Sequence, residues 1–256
     1  MGLMYAIFGS AIWVVLLTVL PILLLLDRLL GPNPIRMQRL NQFLFSIWLR
    51  LLSLGGLLHA KPYCGRIPDG EFIVVANHPG LFDVLVLIRE IPKLSVLVKG
   101  ALIRKLPLAR LLTSAGYVVV PEFGGFGGIE TLQEGTDVLK RGFRLMLFPE
   151  GTRSPKDDLL SFKPGAYKIA QRANVPILPV LIRNRPPFLP KEDKWYFPLF
   201  ERSYLQLEFW DPITPPAPGQ ERAAALELEN RYRQALGFQL RGSGLRKGNE
   251  QSPRLK

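Results

Sequence analysis

The chain has 256 residues, enough for one sizeable α/β domain with its own core, and is 48% hydrophobic with a mean hydropathy of +0.14, high for a soluble protein. Its formal net charge of +12 calls for an anionic partner, either nucleic acid or an anionic membrane surface. The sequence has no zinc-finger spacing, no aromatic-basic RNA-binding signature and no repeated basic helix, so no nucleic acid is expected and the apolar N-terminus favours the membrane. One cysteine, Cys64, excludes an intrachain disulfide, and with only two histidines in the chain no structural zinc or histidine-based metal site is expected.

Met1 to Leu26 contains no charged residue. At about 1.5 Å per residue such a helix crosses a hydrocarbon core of about 30 Å. It lacks a basic leader and a small-residue cleavage site, so it reads as a membrane segment and not as a cleaved signal. Pro21 is placed to kink it, and Gly31-Pro32-Asn33-Pro34 is a turn. From Ile35 to Leu58 the pattern predicts a second helix. Arg36, Arg39, Gln42, Ser46, Arg50 and Ser53 recur at three- and four-residue spacing as a polar stripe on an otherwise apolar surface. That suits a helix at the membrane interface or the second arm of a re-entrant hairpin. Basic residues after the first span and none before it favour a cytoplasmic catalytic domain, and a two-helix element entering only one leaflet also fits.

From Ala60 the pattern becomes globular. Strands are expected at Phe72–Ala76, Leu94–Val98, Tyr117–Val120, Leu145–Phe148, Pro176–Ile182 and Tyr204–Trp210. Helices are expected at Leu81–Ile91, Ala101–Ser114, Ile129–Arg141 and Gly165–Ala173. This alternation predicts an α/β fold, a largely parallel mixed sheet flanked by helices, behind an N-terminal membrane-embedded helical segment. Glu221 to Leu236 reads as a charged scaffold helix. Arg241 to Lys256 reads as a basic disordered tail able to touch anionic lipid.

The first motif follows the Phe72–Ala76 run, as Asn77-His78-Pro79-Gly80-Leu81-Phe82-Asp83. Pro79 suits the first position of a helix. In a continuous helix a spacing of five puts two side chains about 140° apart, so His78 and Asp83 meet only if His78 lies in the turn before the helix. An aspartate on one imidazole nitrogen holds the tautomer and leaves the other nitrogen as a general base. A histidine capped locally at a helix start is the plainer alternative. The second motif, Phe148-Pro149-Glu150-Gly151-Thr152-Arg153-Ser154, follows another apolar run. Its turn can offer backbone N–H groups and a guanidinium able to grip phosphate.

Together the two motifs resemble the glycerolipid acyltransferase family, which includes 1-acyl-glycerol-3-phosphate acyltransferases, over roughly Phe72 to Val180. That resemblance implies a membrane-bound O-acyltransferase moving a fatty acyl group from a thioester to a lysolipid hydroxyl in phospholipid biosynthesis. It implies residues 1–59 as membrane or interfacial helices, 60–240 as the catalytic domain and 241–256 as a tail. The acceptor is expected to be 1-acyl-glycerol-3-phosphate or a related lysophospholipid. No cofactor is expected; acyl-CoA or acyl carrier protein is the co-substrate. His78 and Asp83 would be the catalytic pair. Acceptor binding carries over to Glu150, Gly151, Thr152 and Arg153, although Glu150 can equally be a structural partner of Arg153 or of a backbone amide. Lys99 and Lys163 stand where the family often has lysine and could meet a phosphate, or be ordinary solvated side chains. Val175-Pro176-Ile177-Leu178-Pro179-Val180 matches a Pro-rich block and is read as packing or an apolar wall. With no Gly-x-Ser-x-Gly elbow, attack is expected to be direct, without an acyl-enzyme.

One block departs from the family. Its usual Asp-Arg after a strand is replaced by Pro121-Glu122, followed by a glycine-rich loop, Phe123 to Gly128. The missing cation argues for an acceptor without a phosphomonoester, such as a lyso-ornithine lipid, whose amine Glu122 could pair. A non-catalytic membrane-binding relative and a hydrolase are the remaining alternatives.

Overall fold

The computed structural model describes residues 25, 28–31, 33–99, 115–120, 128–188 and 202–241. The expected membrane segment over Met1–Leu26 (Leu25 apart), the helix over Ala101–Ser114, Glu122 and the tail beyond Arg241 lie outside the described residues. Among those described, no helix is long and apolar enough to cross a membrane.

Helix α1 spans Pro34–Leu54. Asn33 caps it, its Oδ1 accepting the Arg36 N–H at 3.0 Å, and Pro34 occupies the first turn, where a missing N–H costs nothing. At the other end Gly56 takes a φ of +71°, and the Leu57 N–H reaches back to the Leu52 carbonyl at 2.9 Å. The helix therefore stops four residues before the expected Leu58, and Leu58–Ala60 forms strand β1 instead. Three residues reading Leu-His-Ala carry no strand signal of their own; a parallel ladder to a distant strand makes them one.

The remaining elements are β2 (Ile73–Ala76), α2 (Asp83–Glu90), β3 (Leu94–Lys99), β4 (Val118–Val120), α3 (Ile129–Lys140), β5 (Arg144–Leu147), α4 (Gly165–Ala173), β6 (Ile177–Arg185), β7 (Ser203–Phe209) and α5 (Glu221–Leu236). The sheet order is β1-β7-β6-β2-β5-β3-β4, and every neighbouring pair is parallel except β6 with β7. Strand β2 lies in the middle and is buried along its whole length. Its side chains alternate between two cores. Phe72, Val74 and Ala76 face a layer closed by α1 and α2, while Ile73 and Val75 face a layer closed by α3, α4 and α5. Burying side chains of this size is worth about 1.5–3 kcal/mol each. The block Val175–Val180 serves these cores: Ile177 enters one layer, Leu178 and Val180 the other.

Helix α1 belongs to the first layer. Met37, Leu49 and Leu52 are buried in it, and Gln42 Nε2 donates to the Ile88 and Ile91 carbonyls at the end of α2 (2.9 and 3.2 Å). Part of the expected polar stripe thus turns inward. The outward surface carries Phe43 and Leu54, 62% and 85% exposed, with Ile47 and Leu51 between them.

Register positions the site. Val75 of β2 lies opposite Leu147 of β5 in a parallel pair. The segments that follow, Asn77–His78 and Phe148–Ser154, therefore leave the sheet side by side at its carboxyl edge, where open α/β sheets place ligands.

Candidate active site

Asn77 ends β2 by extending its ladder through a side chain. Its Nδ2 donates to the Ile182 carbonyl (3.0 Å) and its Oδ1 accepts the Ile182 N–H (2.7 Å). The chain then turns off the sheet. Gly80 passes so close to β6 that a Cβ there would sit 2.5 Å from the Phe188 carbonyl oxygen and 2.8 Å from Asn184 Nδ2. Pro79 does not open the helix. Residues 80–82 bend and turn, and α2 starts at Asp83, two residues later than the pattern suggests. The delay has a local cause: the Gly80 N–H donates to Asp83 Oδ2 at 2.7 Å, so the turn closes on the side chain that begins the helix.

This turn brings the histidine and aspartate together. His78 Nδ1 and Asp83 Oδ2 are 3.1 Å apart, with the Asp83 side chain fully buried and the His78 side chain 13% exposed. The imidazole stacks on Phe148 with ring centres 3.9 Å apart and planes within 10°. Phe148 fixes one face of the ring, Asp83 fixes its rotation, and Nε2 is the nitrogen that Asp83 does not engage. Asp83 has a second buried partner, Asn184 Nδ2, at 3.2 Å from Oδ1.

Glu150 sits behind the histidine. Its Oε1 accepts the His78 backbone N–H (3.1 Å) and the Ser154 hydroxyl (2.7 Å), and its Oε2 accepts the Leu160 N–H (2.8 Å). The Ser154 N–H returns to the His78 carbonyl at 2.7 Å. The carboxylate is thus committed to protein donors, in line with the amide-partner alternative. Burial pushes it above the ordinary carboxylate range, while bonds from Ser154, Leu160 and His78 pull it back down. Gly151 turns the loop with a φ of +74° and its N–H on the Phe148 carbonyl (3.0 Å). Thr152 and Arg153 are half-buried beside it.

The far end of this loop is clasped by α5. Arg233 Nη2 donates to the Leu159 carbonyl (2.6 Å), Glu229 Oε2 accepts the Phe162 N–H (3.0 Å), and the two side chains pair with each other at 2.9 Å. The scaffold helix therefore steadies the strap carrying Leu160. Lys163 follows that strap with an exposed side chain, its backbone N–H on the Pro149 carbonyl (2.9 Å). Lys99 ends β3 opposite Val120, at the same carboxyl edge of the sheet. Phe148, Ser154 and Asn184 are parts of the site that sequence reasoning gave no role. The first two stand in the second motif, whereas nothing local marks Asn184. Among the described residues, no group of three or more metal-ligating side chains comes together.

Residues 63–183 match the family model described as Acyltransferase. That stretch, which holds both motifs, is an acyltransferase-like domain. The domain is similar to 1-acyl-sn-glycerol-3-phosphate acyltransferase alpha of Mus musculus, 30% identical over 158 residues, covering 57% of this chain and 54% of that protein. A probable 1-acyl-sn-glycerol-3-phosphate acyltransferase of Mycoplasma genitalium is 31% identical over 156 residues, 59% of this chain and 57% of the relative. The Saccharomyces cerevisiae enzyme of that name is 29% identical over 147 residues, 56% and 47% of the two chains. The chain thus spans about half the length of the curated relatives it matches. The crystal structure of the 1-acyl-sn-glycerophosphate (LPA) acyltransferase PlsC from Thermotoga maritima superposes with a TM-score of 0.67 at 23% identity, over 94% of this chain and 97% of that one. That likeness shows a common fold.

Proposed function

We propose that the protein is a membrane-associated O-acyltransferase that moves a fatty acyl group from a thioester to the hydroxyl of a lysolipid in phospholipid biosynthesis. The acceptor is 1-acyl-glycerol-3-phosphate or a related lysophospholipid. The observation that carries this reading is the 3.1 Å His78–Asp83 pair at the carboxyl edge of the sheet, beside the Glu150–Ser154 loop. His78 Nε2 takes the proton of the acceptor hydroxyl as its oxygen attacks the thioester carbonyl. The tetrahedral intermediate collapses, the carbon–sulfur bond breaks, and the imidazolium returns its proton to the leaving thiolate. Asp83 stabilises the imidazolium and holds the ring's orientation. Thr152 and Arg153 bind the acceptor head group, the guanidinium gripping phosphate, while Gly151 shapes the turn and Glu150 braces it. Lys99 and Lys163 lie along the same edge to meet a phosphate of acceptor or donor. The donor is acyl-CoA or acyl carrier protein.

The outward surface of α1 supports membrane association. Phe43, Ile47, Leu51 and Leu54 are exposed apolar side chains, and Arg39 and Arg50 are exposed beside them, an arrangement suited to an interface with anionic lipid on the cytoplasmic side. Residues 1–59 supply this attachment, 60–240 the catalytic domain and 241–256 a basic tail.

The test is acyl transfer by detergent-solubilised wild type and His78→Ala, offered acyl-CoA and acyl carrier protein with a panel of lysolipids. His78-dependent product with lysophosphatidate is expected. Pro121-Glu122 in place of the family's Asp-Arg favours a second reading, an acceptor with an amine-bearing head group. His78-dependent product only with such acceptors establishes it, and absence of product with every acceptor refutes both.

A further inference from the structure

We infer that Asn184 and Ser203 are positioning residues that set the Asp83 carboxylate, and through it the tautomer of His78. The inference rests on His78 acting as the base. Among the described residues, Asp83 is buried without an arginine or lysine as a hydrogen-bond partner; Gly80 N–H and His78 Nδ1 share its Oδ2, and Asn184 Nδ2 holds its Oδ1. A carboxylate only accepts, so the amide atom facing it must be the nitrogen. Asn184 Oδ1 then points away, and the Ser203 hydroxyl meets it at 2.6 Å. The same hydroxyl lies 2.6 Å from the Pro186 carbonyl, so its one proton serves one of two acceptors at a time. Both side chains are buried.

The backbone holds this chain of groups rigidly. Asn184 stands near the end of β6, opposite Leu205 of β7, and Ser203 opens β7 with its own N–H on the Leu57 carbonyl at 3.0 Å. With the amide on Oδ1, the plane of the carboxylate is held with Oδ2 toward the imidazole. Gly80 is part of the same fit, since a Cβ at that position would strike Asn184 Nδ2 at 2.8 Å. Removing the amide takes from the buried Oδ1 its donor among the described residues and loosens the carboxylate.

The test has two readouts on the full chain in detergent micelles. The first is the His78 tautomer, from nitrogen-15 histidine spectra of wild type, Asn184→Ala and Ser203→Ala. The chain has two histidines, and His59→Gln assigns the pair. Wild type is expected with its proton on Nδ1, facing Asp83; Asn184→Ala is expected to give a mixture of tautomers, and Ser203→Ala a smaller change in the same direction. The second is steady-state acyl transfer. For Asn184→Ala, kcat is expected to fall roughly tenfold to a hundredfold, the range found for outer-shell partners of metal-bound histidines, with both KM values within about twofold. Because Ser203 acts through Asn184, the double variant should be no slower than Asn184→Ala alone. An unchanged tautomer in Asn184→Ala, a loss confined to KM, or additive losses in the double variant would overturn the inference. If Asn184→Ala does not fold, Ser203→Ala decides by the same criteria. A wild type that transfers no acyl group defeats the functional reading alone, since the tautomer spectra still decide this one.

Discussion

Asp83 and Glu150 are both buried carboxylates against His78, yet they hold different parts of it. Asp83 takes the ring nitrogen at 3.1 Å, whereas Glu150 takes the backbone N–H at 3.1 Å and has its other bonds to Ser154 and Leu160. One holds the imidazole ring through Nδ1, the other the path of the chain. The comparison teaches that membership of a motif does not assign chemistry; the atom contacted does. It predicts that the two residues separate experimentally, Asp83 in rate and Glu150 in stability.

The largest effect is expected at the ring. Asp83→Asn keeps the shape but presents a neutral amide to Nδ1, and kcat for acyl transfer should fall on the order of 10³–10⁴-fold, as when the carboxylate of a Ser-His-Asp triad is made an amide. Thermal unfolding should move far less than activity, and a variant that unfolds early while keeping its kcat would erase the distinction. Next comes Glu150→Ala, which leaves the His78 and Leu160 amides and the Ser154 hydroxyl without their acceptor. At about 1–3 kcal/mol for each buried donor left unmet, stability should drop by roughly 3 kcal/mol or more, a Tm shift of about 6–12 °C. A Glu150 variant with unaltered Tm and lost activity would place that carboxylate in the chemistry.

Gly80→Ala sits between the two regions. Its methyl would press on the Phe188 carbonyl and on Asn184, so a loss of about 1–3 kcal/mol is expected together with a lower kcat. Calorimetry and initial rates on one preparation check both parts.

Titration sharpens the comparison further. Burial raises the Glu150 carboxyl above its unfolded value, so the stability it contributes is complete below the ordinary carboxylate range and is lost as the pH rises through the raised value. The Tm of wild type relative to Glu150→Gln should therefore fall as pH climbs from about 4. A difference that grows with pH would mean that the three donors outweigh burial. The smallest effect is expected for Lys163→Ala, whose side chain is exposed: an unchanged Tm, and a KM for the phosphate-bearing substrate raised by no more than a few fold.

Elements with a strong local pattern were legible residue by residue. Helices α4 (Gly165–Ala173) and α5 (Glu221–Leu236) have the bounds read from sequence, because apolar spacing and the residues that stop a helix act within a few positions. Pro79 misled for the same reason: its local preference for a helix start lost to a hydrogen bond between Gly80 and Asp83. Strand β1 was not legible, since three residues become a strand only when β7 arrives beside them.

Sequence alone determined the alternating α/β pattern, both motifs, and the condition that a five-residue spacing must close through a turn. These follow from short-range geometry: backbone preferences, side-chain periodicity and the turn residues themselves. Only the tertiary structure decided the rest. Strand order and parallel register set the two motifs side by side; Glu150 met an amide 72 positions away, and Asn184 met Asp83 across 101. Buried polar groups must find partners wherever the packed sheet offers them, and that requirement leaves no trace in neighbouring residues.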